Sequence, residues 1–117
     1  GLHDAAHATA IGKSILAQLR PDERADCLAH HPLSDLTPRT VVDRRQLRLP
    51  QPDGIAVDEE EYALGVACLA APVVTGDGPA AVGIVIPPRK QRRERWLGPL
   101  RAGAHRISRA LMVARLS

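Results

Sequence analysis

Three groups of side chains in this 117-residue sequence have types and spacing that suit chemistry. Cys27, His30 and His31 stand at i, i+3 and i+4, so a helix would place two or three metal-ligating atoms on one face. A fourth ligand is missing, and adjacent histidines at a helix end also suit the helix dipole, so no metal site is assigned. The two thiols, Cys27 and Cys68, form a redox pair only if the fold brings them together. Cys68 lies within an apolar run, with no histidine in its flanking motif to act as a base, so burial explains it as well as reactivity does. The third group is the basic run RKQRRER from Arg89 to Arg95, which suits phosphates. It has no interleaved aromatic before Trp96 and no helix-turn-helix beside it, so a solvated helix face explains it better. Phosphate-binding glycine loops, Gly-x-Ser-x-Gly elbows and zinc-protease motifs are absent, and no catalytic residue or cofactor is assigned.

The elements that must position these groups are readable from composition and period. Apolar residues make up 44% and charged residues 25%, the balance of an ordinary globular domain. Aromatics are only 2%, with no Phe, so Ala, Val, Leu and Ile must build the core. Ala8, Ile11, Ile15 and Leu19 recur at helical spacing and predict a helix over 7–20, ended by Pro21. A second helix runs from Asp22 to His30, with acidic residues in its first turn. Asp43 caps a brief helix, and Pro50 and Pro52 forbid a longer one after it.

Val66–Thr75 and Ala80–Ile86 read as two strands joined at Gly76-Asp77-Gly78-Pro79. With Gly76-Asp77 as the loop, Cys68 faces Val85; with Asp77-Gly78, it faces Pro87. In either register Cys68, Val85 and Pro87 share one face of the sheet. Both faces of these strands are apolar, which predicts that the pair is central and covered. A last helix is predicted to start near Gly98-Pro99, with Pro99 at its first position. Leu97, Leu100, Ala104, Ile107, Leu111 and Ala114 form its apolar seam.

Charge is uneven. Residues 1–60 hold seven Lys/Arg against ten Asp/Glu, and residues 61–117 hold nine against three, which together give the net +3. The longest apolar run, Leu64 to Val74, is about half the roughly 20 residues a bilayer span needs. No export signal is visible and the two cysteines make no disulfide framework, which predicts a reducing, cytoplasmic setting.

Two segments carry a resemblance. HATAIGKSILA (His7–Ala17) and EEEYALGVACLAAPV (Glu59–Val73), with a weaker match at AHRISRALM (Ala104–Met112), resemble the small-molecule-binding domain of IclR-type bacterial transcriptional regulators. The resemblance implies an α+β fold, with an antiparallel sheet and helices packed on it as in GAF/PAS-like sensors. It also implies that residues 1–117 form one effector-binding domain, without the winged-helix DNA-binding domain that precedes it in the family. Effector contacts carried over by the matching motifs are Ala10 and Ile11, Asp58, Cys68, Val85 and Pro87. The implied partners are a small-molecule effector such as an organic or aromatic acid, and further copies of the chain in a homodimer or tetramer. DNA would be reached only through the winged-helix domain, and no membrane is involved. Family members that sense small 2-oxo acids carry serines where Val85 and Pro87 stand, so the resemblance implies a more apolar ligand here, or none. A domain kept only for assembly, and a GAF-like thiol enzyme using Cys27 and Cys68, are the rival readings. The acidic run at Asp58–Glu61 also reads simply as a solvated turn.

Overall fold

One hairpin loop sets the register of the sheet. The structure, a computed structural model, describes residues 5–88 and 93–116. Its elements are α1 (Ala10–Gln18), α2 (Pro21–His30), a 3-10 turn (Arg44–Gln46), β1 (Ala56–Glu59), β2 (Ala67–Val74), β3 (Pro79–Ile86) and α3 (Glu94–Arg115). Gly76-Asp77 is the two-residue loop, with φ of 81° at Gly76 and no positive φ at Asp77. Glycine at the first central position is the requirement of a type II′ hairpin turn. Cys68 therefore faces Val85, the first of the two expected registers.

The sheet is antiparallel, in the order β1-β2-β3, and helices cover both faces. Side chains alternate along β2, so its two sets divide between two clusters. Ala67, Leu69, Ala71 and Val73 pack with Ile86 against Leu100 and Ala104 of α3. Ala70 packs with Ala56 against Ala10 of α1, and Cys68 borders that cluster. This is the expected α+β architecture.

Five sequence expectations are corrected. The first helix begins at Ala10, because Thr9 caps it: its Oγ1 accepts the Gly12 N–H at 3.0 Å. Its buried face is also different. Ala10, Gly12, Lys13, Ser14, Leu16 and Ala17 are buried, whereas Ile11 is exposed and Ile15 half-buried. Small and amphipathic residues lie inward because the 5–8 segment and the sheet approach this helix closely. A Cβ on Gly12 would lie 2.4 Å from the Ala6 Cα. Gly12→Ala must therefore move backbone, and should cost about 1–3 kcal/mol in denaturant unfolding. A loss below about 0.5 kcal/mol, the scale of an ordinary surface change, would show that the 5–8 segment yields freely.

The strand pair is not wholly central. β2 is, but β3 is an edge strand, with Val85 75% exposed. Apolar composition on both faces signalled burial, and no described strand lies beyond β3 to provide it. The last helix starts at Glu94, so Pro99 sits in its second turn, where its missing N–H leaves the Arg95 carbonyl without its helical donor. Finally, the seam of α3 is covered only in its first half. Leu100 and Ala104 are buried, whereas Ile107, Leu111 and Ala114 are exposed, with no described element beyond β3 or the hairpin loop to cover them.

Three local expectations agree with the structure. α2 carries Asp22 and Glu23 in its first turn, and Asp43 caps the 3-10 turn by accepting the Arg45 N–H at 2.9 Å. Residues 47–55 form a connection without helix.

Candidate functional site

Asp58, Cys68 and Val85 form one row across the three strands, paired directly at each step. The ladder bond from Glu60 N–H to the Val66 carbonyl (3.1 Å) fixes which residues turn their backbones towards β2. By alternation Asp58 and Cys68 form a hydrogen-bonded pair in that ladder. The N-terminus of α1 lies over this row. Ala10 packs on Ala56, Ala70 and Cys68, and the Ile11 side chain crosses Gly83, where an added Cβ would come within 3.1 Å of Cγ1. The amides of Ala10 and Ile11 find no acceptor among the described residues, since Thr9 serves Gly12 and Lys13 instead. Pro87 lies just past β3 and is exposed, so five of the six carried-over positions gather around one patch and the sixth stands at its rim.

The acidic run is not the solvated turn that its composition suggests. Asp58 is 1% exposed and Glu60 4%. The Asp58 Oδ1 accepts the Glu61 N–H at 2.8 Å, which closes the turn locally. Glu60 adopts φ of 60°, the left-handed region uncommon outside glycine. It is held there by the Thr37 hydroxyl, which donates to its carbonyl (2.7 Å), and by the Gly65 N–H, which donates to its Oε1 (2.8 Å). Glu61 reaches back to α1, where Lys13 Nζ donates to its Oε1 at 2.5 Å and to the Val57 carbonyl at 2.8 Å. Lys13 thus fixes the height of α1 above the β1 end of the row.

Sequence reasoning missed Lys13, because a lysine next to an apolar stripe reads as solvent-facing. A signal was present in the lone cation of the first helix, set against four consecutive acidic residues. His7 was missed in the same way: it is buried, and its Nε2 meets the Ser34 carbonyl at 2.9 Å.

Burial pushes the Asp58 carboxyl above its ordinary value; the Glu61 charge adds to this, while its hydrogen bond from Glu61 N–H and the Lys13 charge oppose it. Burial also raises the Cys68 thiol, with the facing Asp58 charge reinforcing the shift. A raised thiol stays protonated near neutrality and is a poor nucleophile. Cys27 and Cys68 are both free, one on α2 and the other on β2. His30 Nδ1 is engaged with the Asp26 carbonyl at 2.8 Å, and no metal-binding group of His, Cys, Asp and Glu occurs among the described residues. The first four residues of the basic run (89–92) lie outside the described residues; Arg93, the next, pairs with Glu59 at 3.0 Å.

The family model for the bacterial transcriptional regulator IclR C-terminal domain matches residues 1–109. The chain belongs to that family. As an IclR C-terminal domain it is similar to the HTH-type transcriptional repressor AllR of Klebsiella pneumoniae, at 32% identity over 114 residues. That match covers 90% of this chain and 42% of AllR. A transcriptional regulator from Rhodococcus sp. RHA1 superposes with a TM-score of 0.82 at 30% identity, covering 93% of this chain and 49% of that one. An IclR homolog from Microbacterium hydrocarbonoxydans, solved in complex with 4-hydroxybenzoate, gives 0.77 at 26% identity, covering 92% and 46%. The chain therefore spans less than half the length of these relatives. Among the described residues, no helix of this IclR domain is long and apolar enough to cross a membrane.

Proposed function

We propose that this IclR C-terminal domain senses an acid with an apolar or aromatic body, held between the first turn of α1 and the Asp58–Cys68–Val85 row. The observation that carries this reading is the pair of acceptorless amides at Ala10 and Ile11 directly over that row. Free N–H groups at a helix N-terminus suit a carboxylate. The opposite wall is poor in donors: Val85 offers none and Pro87 lacks even a backbone N–H. Small 2-oxo acids need such donors for their second polar group, whereas an aromatic acid does not. The 4-hydroxybenzoate complex of the Microbacterium relative supports the same ligand class. Binding would shift the population of two arrangements of the regulator, which a DNA-binding domain reads out. The exposed Ile107, Leu111 and Met112 on α3, with a β3 edge that no described strand covers, favour a homodimer or tetramer as the assembly that transmits the shift.

A thermal-shift series tests the ligand class on wild type and on Val85→Ser/Pro87→Ser, positions exposed enough to change without loss of fold. An aromatic acid at about 100 times its dissociation constant should add about 2.7 kcal/mol to wild-type stability. Pyruvate and glyoxylate should leave wild type unmoved and gain a shift in the double variant. Stabilisation of wild type by the 2-oxo acids, or by none of the panel, would overturn the reading.

A further inference from the structure

We propose that a cavity at the outer edge of β1 is a second ligand site, distinct from the row, and that it takes a small monocarboxylate with an apolar tail. The same ladder alternation that turns Asp58 towards β2 turns the backbone groups of Val57 and Glu59 outward. Two of these outward groups are already occupied. Lys13 Nζ donates to the Val57 carbonyl, and Glu61 Oε2 accepts the Glu59 N–H at 3.1 Å. A further strand therefore cannot add along this edge, which is capped by side chains. The Val57 N–H remains, and it has no acceptor among the described residues.

On that outward side Val57 lines a cavity of about 420 Å³, whose outer wall is Gln46 at the end of the 3-10 turn and the helix-free 47–50 connection. The volume is within the range of small-molecule sites. Val41, Leu47, Leu49, Ile55 and Val57 give it an apolar lining. Its charged groups are Lys13, Arg48 and Glu61, a balance of one positive charge. The Lys13 side chain is only 7% exposed and uses two of its three protons on Val57 and Glu61. Arg48 is exposed, and its one described hydrogen bond is a long one, 3.5 Å from Nη1 to the Arg45 carbonyl, so its guanidinium can turn inward. The Val57 N–H, the third Lys13 proton and an inward-turned Arg48 would give three donors from residues that line one cavity, two of them cationic. A single carboxylate would accept from them, and an unbranched tail would lie along the aliphatic wall.

Titration of the ¹⁵N-labelled chain with hexanoate and with neutral hexanamide, followed by NMR, tests this. Hexanoate should shift the amides of Ile55, Val57, Leu47 and Leu49 saturably, and hexanamide should bind at least about tenfold more weakly, the scale of a lost charge-assisted hydrogen bond. Arg48→Gln, at an exposed position, should weaken hexanoate by about the same factor and leave hexanamide unchanged. Equal affinity for the two probes, or no saturable shift, would overturn the second site. Shifts centred on Ala10, Ile11 and Cys68 would also overturn it, by placing hexanoate in the row. Because the two sites report through different amides, loss of this one leaves the sensing role of the row standing.

Discussion

Lys13→Met should remove about 3–5 kcal/mol of folding stability, the cost of breaking a buried ion pair from one side. Lys13 and Glu61 have side chains 7% and 13% exposed, so neither charge is well solvated when its partner is lost. Methionine keeps the length of the aliphatic stem but no donor. It strands the Glu61 carboxylate and leaves the Val57 carbonyl without the ammonium it accepts from at 2.8 Å. A surface pair would cost no more than about 1 kcal/mol, so the size of the loss discriminates between the two environments. Pairing the change with Glu61→Gln removes the uncompensated charge and keeps an acceptor for the Glu59 N–H. The double variant should recover at least half of the loss in urea unfolding. A single-variant loss below about 1 kcal/mol, or no recovery in the double, would mean that the contact does not hold α1 to the sheet.

The consequence for function follows from where Lys13 sits. It lies one turn from Ala10 and Ile11 on the same helix, and its ammonium ties that helix to β1 next to Asp58. The distance between the α1 amides and the row is therefore set by one electrostatic contact, together with the alanine packing of Ala10 on Ala56 and Ala70. Lys13, which touches no effector in the proposed site, thus helps determine whether its two walls stand at ligand width.

The parts of this arrangement that were legible in the sequence are those fixed by local chemistry. Gly76-Asp77-Gly78-Pro79 specified a hairpin and narrowed the register to two, because a hairpin loop fixes pairing; the structure selects the one in which Cys68 faces Val85. Asp43 and the acidic first turn of α2 were legible for the same reason, since caps and dipoles act within one turn. What failed was everything decided across distance. The acidic run at Asp58–Glu61 reads as solvated because carboxylates are rarely buried, and only the folded chain brings Lys13, Thr37 and Gly65 to satisfy it. The inward face of α1 was misread because periodicity counts apolar residues, whereas Gly12 and Ser14 are inside for their small size. The edge position of β3 was missed because burial of a strand depends on neighbours that its own composition does not reveal. Among the site positions, motif resemblance selected Asp58, and the Asp58–Cys68 pairing is a geometric reason for that spacing.

Leu69→Ala is expected to have the other largest effect, again about 3–5 kcal/mol, towards the upper end for a leucine truncation. Leu69 is 0% exposed, in the middle of the central strand, and is among the largest fully buried side chains described. Its buried neighbours on the α3 side are Ala67, Ala71 and Ala104, together with Val73, Ile86 and Leu100. The cost of a truncation has a transfer part, which is nearly constant, and a cavity part, which depends on whether neighbours can collapse. Alanines have no side-chain torsion with which to refill space, and the backbone around Leu69 is held on both sides by the β1 and β3 ladders. The void should therefore persist, and a core with no phenylalanine has little other bulk to absorb it. Leu64→Ala, at a position 61% exposed in the β1–β2 turn, is the internal control and should change stability by less than about 0.5 kcal/mol. If the two truncations cost the same in urea unfolding, the α3 layer does not close over the sheet. If Leu69→Ala costs less than about 2 kcal/mol while Leu64→Ala is neutral, the layer closes but repacks, and α3 would be free to slide on the sheet.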